Sequence, residues 1–136
     1  MRIETFAHNG AEEDQVMYEV IKAWAPESFP IPELLPKLGV IVFDDLDVPI
    51  CFLCADMSNS IPRAMLDCLQ TNPAFSKMTR WNATKLAEEF LCEELKTLGY
   101  SVIIGVSQNS GVAWLSQKLG YWVSPQAMSY FHKSIV

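Results

Sequence analysis

This chain of 136 residues is short of basic side chains, of histidine and of long apolar runs. Ten lysines and arginines stand against sixteen aspartates and glutamates, which gives a formal net charge of -6. A nucleic-acid-binding surface has to neutralise phosphates, so this balance argues against nucleic acid as a partner. No apolar run approaches the ~20 residues of a membrane-spanning helix, so we also expect no membrane partner.

Metal-binding side chains are too few and too scattered to suggest a site. The chain has two histidines, His8 and His132, and its only closely spaced cysteine pair is Cys51 and Cys54. No second pair or nearby histidine completes a ligand set, and residues three apart on a strand point to opposite faces. We therefore predict no metal and no disulfide, with cysteines that pack as small hydrophobic side chains.

The composition is that of a folded domain. Half of the residues are hydrophobic and 19% are charged, which argues against disorder. The length suits one domain, which we place at 1–136. The first residues lack the apolar stretch of an export signal, and with reduced cysteines this predicts a cytoplasmic protein. The sequence leaves monomer and homodimer both open.

Hydrophobic periodicity predicts the order β-α-loop-β-β-β-α-β-α-β. We expect strands at 2–7, 39–43, 48–55, 64–71, 101–106 and 127–135, and helices at 11–24, 83–98 and 109–120. The prolines between residues 25 and 36 predict a loop with at most one helical turn. Strands of mixed direction packed against helices indicate an α/β or α+β sandwich.

Two stretches of sequence narrow this further. A strand ending at Asn72-Pro73 leads through a basic segment, 77–82, into a long helix, and residues 115–122 read LSQKLGYW. This arrangement resembles the cofactor-binding half of the GNAT N-acetyltransferase superfamily. The resemblance implies a mixed, mostly antiparallel central sheet flanked by helices. It also implies acetyl-coenzyme A as cosubstrate and an amine on a small molecule or protein as acceptor.

The resemblance implies a diphosphate site where the helix after the fourth strand begins. Family members usually read Gln/Arg-x-x-Gly-x-Gly/Ala there, and the best fit is 77–82 followed by Ala83. Only the basic first position fits, because Arg80 and Asn82 occupy the glycine positions, where side chains could block phosphate. Basic side chains and a polar cap could compensate, although Lys77 and Arg80 could equally be solvated loop charges. The implied cofactor-binding residues here are Lys77, Thr79, Arg80, Trp81, Asn82 and Ala83, with Trp81 a candidate to pack on adenine.

Further cofactor contacts are implied on the strand before this segment. In the family the end of that strand splays from its neighbour, and its backbone pairs with the pantetheine arm. By position this falls to Leu69, Gln70 and Thr71. Asn109, at the start of the last helix, resembles an asparagine that many members use near the pantetheine, although a plain helix cap would explain it.

For catalysis the family often uses a tyrosine to protonate the departing thiolate, and Ser116 occupies that position. Ser116 could orient the sulfur or be an exposed helix serine. Asp67, the acid inside the central strand, is the candidate base, with a raised pKa if it is desolvated and no special role if it faces solvent. Asp56, His8 and His132 are weaker candidates. We expect Tyr121 in the core and a solvated helix face formed by Glu88, Glu89, Glu93 and Glu94.

Two alternatives to an active enzyme remain open, and the missing glycines and tyrosine are consistent with the first of them. The first is a GNAT fold that has lost catalysis and serves as a binding or regulatory module. The second is an unrelated α/β domain, which a structure without a splayed gap beside residues 64–71 would support.

Overall fold

The computed structural model describes residues 1–6, 12–27, 29–107, 110–123 and 129–136. Within them the chain forms seven strands, three α-helices and one 3-10 turn at Pro32–Leu34. The helices are α1 Glu12–Lys22, α2 Lys77–Thr97 and α3 Ser110–Lys118. The strands are β1 Arg2–Phe6, β2 Leu38–Phe43, β3 Pro49–Met57, β4 Arg63–Thr71, β5 Val102–Ser107, β6 Trp122–Val123 and β7 Ser129–Ser134.

The strands form one sheet in the order β1-β2-β3-β4-β5-β7-β6. Every neighbouring pair is antiparallel except β4 and β5, which run parallel because α2 crosses between them. The predicted mixed, mostly antiparallel sheet is confirmed, and β1 lies at its edge. The two-residue β6 was missed, because so short a strand has no periodicity to detect.

The parallel strands β4 and β5 pair with each other over only part of their length. Residues Arg63–Met65 of β4 pair with Val102–Ile104 of β5, and the pairing stops there. All six residues of β5 remain paired with β7. At the far end of β4, the Asn72 amide donates to the Ile50 carbonyl at 2.8 Å, which holds that end on β3. The two strands therefore diverge, and the splayed gap expected beside residues 64–71 is present.

A bulge changes the direction of side chains in the splayed half of β4. Phe52 pairs with Gln70 and Cys54 with Asp67, so Leu53 alone faces Cys68 and Leu69. Cys68 takes a positive φ of 56°, which is uncommon for a residue with a side chain. Leu66 and Leu69 both pack toward α2, whereas residues three apart on a regular strand would face opposite sides.

The sheet separates two cores. On the α1 side, Ile21 packs with Phe52 and Cys54, and on the α2 side, Cys51 packs with the buried stripe of the helix. Cys51 and Cys54 thus lie on opposite faces, as their spacing predicted. A third cluster around Leu95 and Ile103 joins α2 to β5 and β7.

Helix α2 begins six residues before the expected start at Ala83. Ser76 is its N-cap, and the Ser76 hydroxyl accepts a hydrogen bond from the Thr79 amide at 3.1 Å. The loop predicted at residues 77–82 is therefore wrong, because those residues are helical. The sequence of this segment is polar and basic and resembles a loop, because the first turns of the helix are only partly buried.

None of the described helices is long and apolar enough to cross a membrane. In the same part of the chain, no group of three histidine, cysteine or acidic side chains is arranged to hold a metal ion.

Candidate functional site

A cavity of about 500 Å³ lies in the gap between β4 and β5. Pro30 and Cys68 line it from the α1 side of the sheet, and side chains of α2 and α3 line it from the other side. The rest of the wall comes from strand residues and from the segment after α3. The full lining is Pro30, Leu53, Leu66, Asp67, Cys68, Leu69, Gln70, Thr84, Glu88, Val106, Val112, Leu115, Ser116, Leu119, Tyr121 and Phe131.

Buried polar side chains of the described residues are concentrated around this cavity. Three polar or charged side chains, Thr84, Glu88 and Ser116, are buried in the part of the chain that the structure describes, and all three line the cavity. Burying a polar group without a partner costs free energy. Their concentration around one space therefore marks it as the candidate site.

Glu88 is the charged member of this group and is only 2% exposed. Its Oε1 accepts hydrogen bonds from the Tyr121 hydroxyl at 3.0 Å, the Lys133 ammonium at 2.9 Å and the Cys92 thiol at 2.9 Å. Its Oε2 is buried and has no hydrogen-bond partner. The predicted solvated face is thus wrong at Glu88, although Glu89 and Glu93 are exposed.

Burial and the Glu88 carboxylate together raise the pKa of two neighbouring groups. Burial, followed by the charge of Glu88, raises the pKa of Tyr121 well above its usual value. Burial also raises the pKa of Cys92 to about 12, and Glu88 adds to the rise. The phenol and the thiol therefore stay protonated near neutrality and act as hydrogen-bond donors to Oε1. Tyr121 is buried, so its predicted place in the core is confirmed.

The sequence did contain a weak signal for the burial of Glu88. Thr84 and Cys92 lie four residues before and after Glu88, so all three share one helix face. Thr84 and Cys92 are both small and uncharged. Both are buried. An apolar stripe drawn widely enough to include them would have included Glu88.

Ser116 lies in α3 and is 5% exposed, so the interpretation as an exposed helix serine is wrong. Its hydroxyl donates to the Val112 carbonyl at 2.8 Å. Because the proton is used within the helix, the Oγ atom can offer only lone pairs to a ligand. The structure therefore brings Ser116 to the cavity but occupies the proton that an acid would need.

Asp67 also lines the cavity, at the bulge of β4. It is exposed, so the desolvation that would favour a base is absent. The Asp67 Oδ1 accepts a hydrogen bond from the Cys68 amide at 2.8 Å, which ties the carboxylate to the strained residue. Asp56 and His132 do not line the cavity, and His8 and Asn109 lie outside the described residues.

Backbone N–H groups in the turn before α2 already have hydrogen-bond partners. The Asn72 side chain accepts from the Ala74 amide at 3.0 Å, and the Asn72 carbonyl accepts from the Phe75 amide at 3.2 Å. Further along, the Thr79 amide donates to the Ser76 hydroxyl. The amides of Lys77 and Met78 thus precede the first intrahelical bond, which the Arg80 amide makes to the Ser76 carbonyl.

This geometry corrects part of the diphosphate site expected at residues 77–82 and Ala83. Asn82 is exposed and does not cap the helix, and Ala83 is fully buried inside α2. Neither of their amides opens a helix. Thr79 does take part in the cap, because its hydroxyl lies 2.9 Å from that of Ser76. Any anion at the helix start would lie near Lys77, one and a half turns earlier.

Arg80 connects the start of α2 to the end of β4. Its Nη1 lies 3.5 Å from the Thr71 Oγ1, and its Nε is buried without a partner. Arg80 is half-buried and so is not one of the solvated loop charges considered above. The guanidinium stands at the open end of the gap with a donor unused.

Two tryptophans form a groove of about 470 Å³ beside this helix start. Trp81 of α2 and Trp114 of α3 lie with ring centroids 6.4 Å apart, and Lys77, Met78 and Lys118 complete the lining. The Lys118 ammonium lies 5.6 Å from the centre of the Trp114 ring. Trp114 and Lys118 were not among the predicted site residues, because their contact with this part of α2 depends on how α3 packs against it.

The fold places the protein among known structures, although no protein-family model and no curated protein sequence matches the chain. The chain has the GNAT fold, that of the GNAT acetyltransferases. The interpretation as an unrelated α/β domain is therefore wrong.

Three solved structures illustrate the likeness. Aminoglycoside 6'-acetyltransferase type Ii matches with a TM-score of 0.79 and 17% identity over 100% of this chain and 98% of that one. A GNAT family N-acetyltransferase from Escherichia coli, in complex with CoA, matches at 0.70 and 11% over 99% and 81%. The ribosomal-protein-S18-alanine N-acetyltransferase from the same organism matches at 0.73 and 14% over 98% and 93%. At these identities the likeness concerns the fold.

Proposed function

We propose that this chain is a single-domain N-acetyltransferase that moves an acetyl group from acetyl-coenzyme A to an amine on a small molecule or protein. The observation that carries the proposal is the cavity between the diverging halves of β4 and β5. Its walls hold the buried polar side chains of the described chain. The structural neighbours include enzymes named for small-molecule and for protein acceptors, and one complex with CoA.

The residues present fit acetyl-coenzyme A, which would supply an acyl thioester ready for transfer. The β5-facing backbone groups of Leu69, Gln70 and Thr71 have no strand partner and can pair with an extended arm. The Arg80 guanidinium, whose Nη1 lies beside Thr71, places a positive charge there that suits a phosphate oxygen. The amides of Lys77 and Met78, at the positive end of the helix dipole, suit the same charge.

The Trp81–Trp114 groove would hold the adenine end. Aromatic faces stack on a nucleobase, and Lys77 and Lys118 in the lining can neutralise phosphate. In a protein with net charge -6, four of the ten basic side chains, Lys77, Arg80, Lys85 and Lys118, are concentrated at or near this groove. This charge would attract a phosphorylated ligand locally without favouring nucleic acid.

Within the cavity we assign roles from what each side chain can donate or accept. Asp67 would accept the proton that an acceptor ammonium must lose, because it lines the cavity at the bulge, although its exposed carboxylate has no help from desolvation. Ser116 would orient the ligand through its lone pairs, because its proton is held by Val112. Water would then protonate the leaving sulfur. The four cysteines are unpaired, which fits our placement of the protein in the reducing cytoplasm.

A second candidate is a GNAT-fold binding or regulatory module without catalysis. Two observations favour it: the turn before α2 contains no glycine, and the Ser116 proton is occupied. Both functions would use the same cavity, so binding alone does not separate them.

Calorimetric titration with acetyl-coenzyme A tests the shared part of the proposal, and a thiol-release assay with a panel of amines tests the rest. Thermal unfolding gives a second measure of binding, because ligand at 100 times its Kd should raise the free energy of unfolding by about 2.7 kcal/mol. Binding with amine-dependent thiol release supports the enzyme. Binding without release from any amine supports the module, and no binding at millimolar ligand overturns both.

A further inference from the structure

The buried polar lining of the cavity presents acceptors only. The Ser116 hydroxyl donates to the Val112 carbonyl at 2.8 Å, and the Thr84 hydroxyl donates to the Arg80 carbonyl at 2.9 Å. The Tyr121 hydroxyl, also in the lining, donates to Glu88. With these protons used, lone pairs are what the buried side chains can offer to an occupant of the cavity.

Glu88 provides the strongest of these acceptors. Three donors meet at its Oε1, while Oε2 is buried and has none. A buried acceptor left without a partner costs about 1–3 kcal/mol, and more when it carries charge, so folded proteins contain few. Because Glu88 lines the cavity, an N–H group that reaches Oε2 from there would remove this cost.

The polar groups of α2 also form a line. Arg80, Thr84 and Glu88 follow one another at four-residue steps, so they share one face of the helix over about 12 Å. Arg80 stands beside Thr71 at the open end of the gap, and Glu88 lies deeper, in the cavity wall. The line would suit an elongated ligand with an anion at one end and N–H groups further along.

We propose that Glu88 is a ligand-binding residue, whose Oε2 accepts a hydrogen bond from a secondary amide of an extended arm in the cavity. This rests on the proposed function, in which the arm is pantetheine, a chain with two secondary amides. An ammonium of the acceptor could also donate to a carboxylate. The amide arm is the better match, because the phosphate-binding cation Arg80 leads to Glu88 along the same helix face.

The test compares Glu88→Gln with wild type in calorimetric titrations of two probes. Coenzyme A carries the arm, and 3'-phosphoadenosine 5'-diphosphate is its nucleotide end alone. Glutamine keeps an oxygen for Tyr121 and Lys133 but turns an NH₂ toward the amide N–H of the ligand. We expect at least tenfold weaker binding of coenzyme A and unchanged binding of the nucleotide.

Cys92→Ala is the matched control. It removes one donor from Oε1, leaves Oε2 untouched and lies outside the cavity lining, so coenzyme A should bind as it does to wild type. Thermal unfolding establishes that both variants are folded, and Glu88→Met serves as a second variant should Glu88→Gln not fold. Methionine has no acceptor of comparable strength, so it should show the same selective loss.

The outcomes distinguish a failure of the proposed function from a failure of the role proposed for Glu88. If wild type binds neither probe, the proposed function fails and takes this inference with it. If wild type binds coenzyme A and the Glu88 variants bind it equally well, the inference alone is overturned. Equal weakening of both probes would show that Glu88 acts on the shape of α2, and weaker use of the acceptor amine with unchanged coenzyme A affinity would assign its Oε2 to the ammonium. Either result also overturns the inference.

Discussion

The two halves of β4 differ although they belong to one strand. The first half begins with Arg63–Met65, which pairs with β5, and its Ala64 and Met65 also pair with β3. The second half keeps β3 alone, carries a bulge with Cys68 at positive φ, and borders the cavity. The first half contributes Ala64 to the core. The same backbone thus builds the core where it is paired and offers a binding surface where it is not.

The difference follows from which neighbour holds each end. Asn72 fastens the end of β4 to β3 through its amide and, at 3.0 Å, through its side chain to the Pro49 carbonyl. β5 instead follows β7 over its full length. Unpaired backbone groups between them are tolerated because solvent or a ligand can reach them.

The largest expected effect contrasts the paired and the splayed parts of the β4–β5 pair by side-chain truncation. Ile103 is the fully buried β5 partner of Ala64, and Ile103→Ala should lower the free energy of unfolding of the protein by about 2–5 kcal/mol. Leu69→Ala, in the half-buried splayed half, should cost less than about 1.5 kcal/mol. Urea denaturation of both variants measures this, and equal losses would contradict the contrast.

A charge reversal at the open end of the gap should act on binding. Arg80→Glu places a carboxylate beside Thr71, so coenzyme A affinity should fall about 100-fold, or 2.7 kcal/mol. Lys96→Glu makes the same change in net charge in the last turn of α2 and should leave affinity within about twofold. Unchanged affinity in Arg80→Glu would remove that residue from the site.

Gly105 shapes the β5 side of the gap. It pairs with Phe131, whose ring lies where a Cβ on residue 105 would be. Gly105→Ala should therefore push the ring toward the cavity and cost about 1–3 kcal/mol of stability. Adding Phe131→Leu should recover part of the loss in the double mutant. Additive losses in this cycle would show that the ring does not mediate the clash.

The smallest change concerns chemistry within the cavity. Ser116→Tyr introduces a phenol where the family often has one, and if water now protonates the leaving sulfur, turnover should rise about tenfold, by about 1.4 kcal/mol. Ser116→Phe matches the volume without the hydroxyl and should not raise kcat. A thiol-release assay compares the two, and equal rates would exclude proton donation from this position.

Much of the fold could be predicted, and less of the site. The order of strands and helices came from periods of two and 3.6 residues, which are local properties, and the position of the gap came from resemblance. The start of α2 was predicted too late, because the residues that follow the Ser76 cap are polar and basic and resemble a loop. Asp67, Ser116, Leu69 and Gln70 do meet in one cavity, whereas Asn82 and Ala83 do not belong to a helix opening.

The sequence by itself determined the elements, the two-faced strands with Cys51 and Cys54 on opposite sides, and the acidic surface, because each depends on neighbours within a few residues. Only the tertiary structure decided the cavity and its charged wall. Glu88 is buried because Tyr121 and Lys133 reach its Oε1 from 33 and 45 residues away. Contacts across such separations arise from the packing of the sheet against α2, which no local pattern specifies.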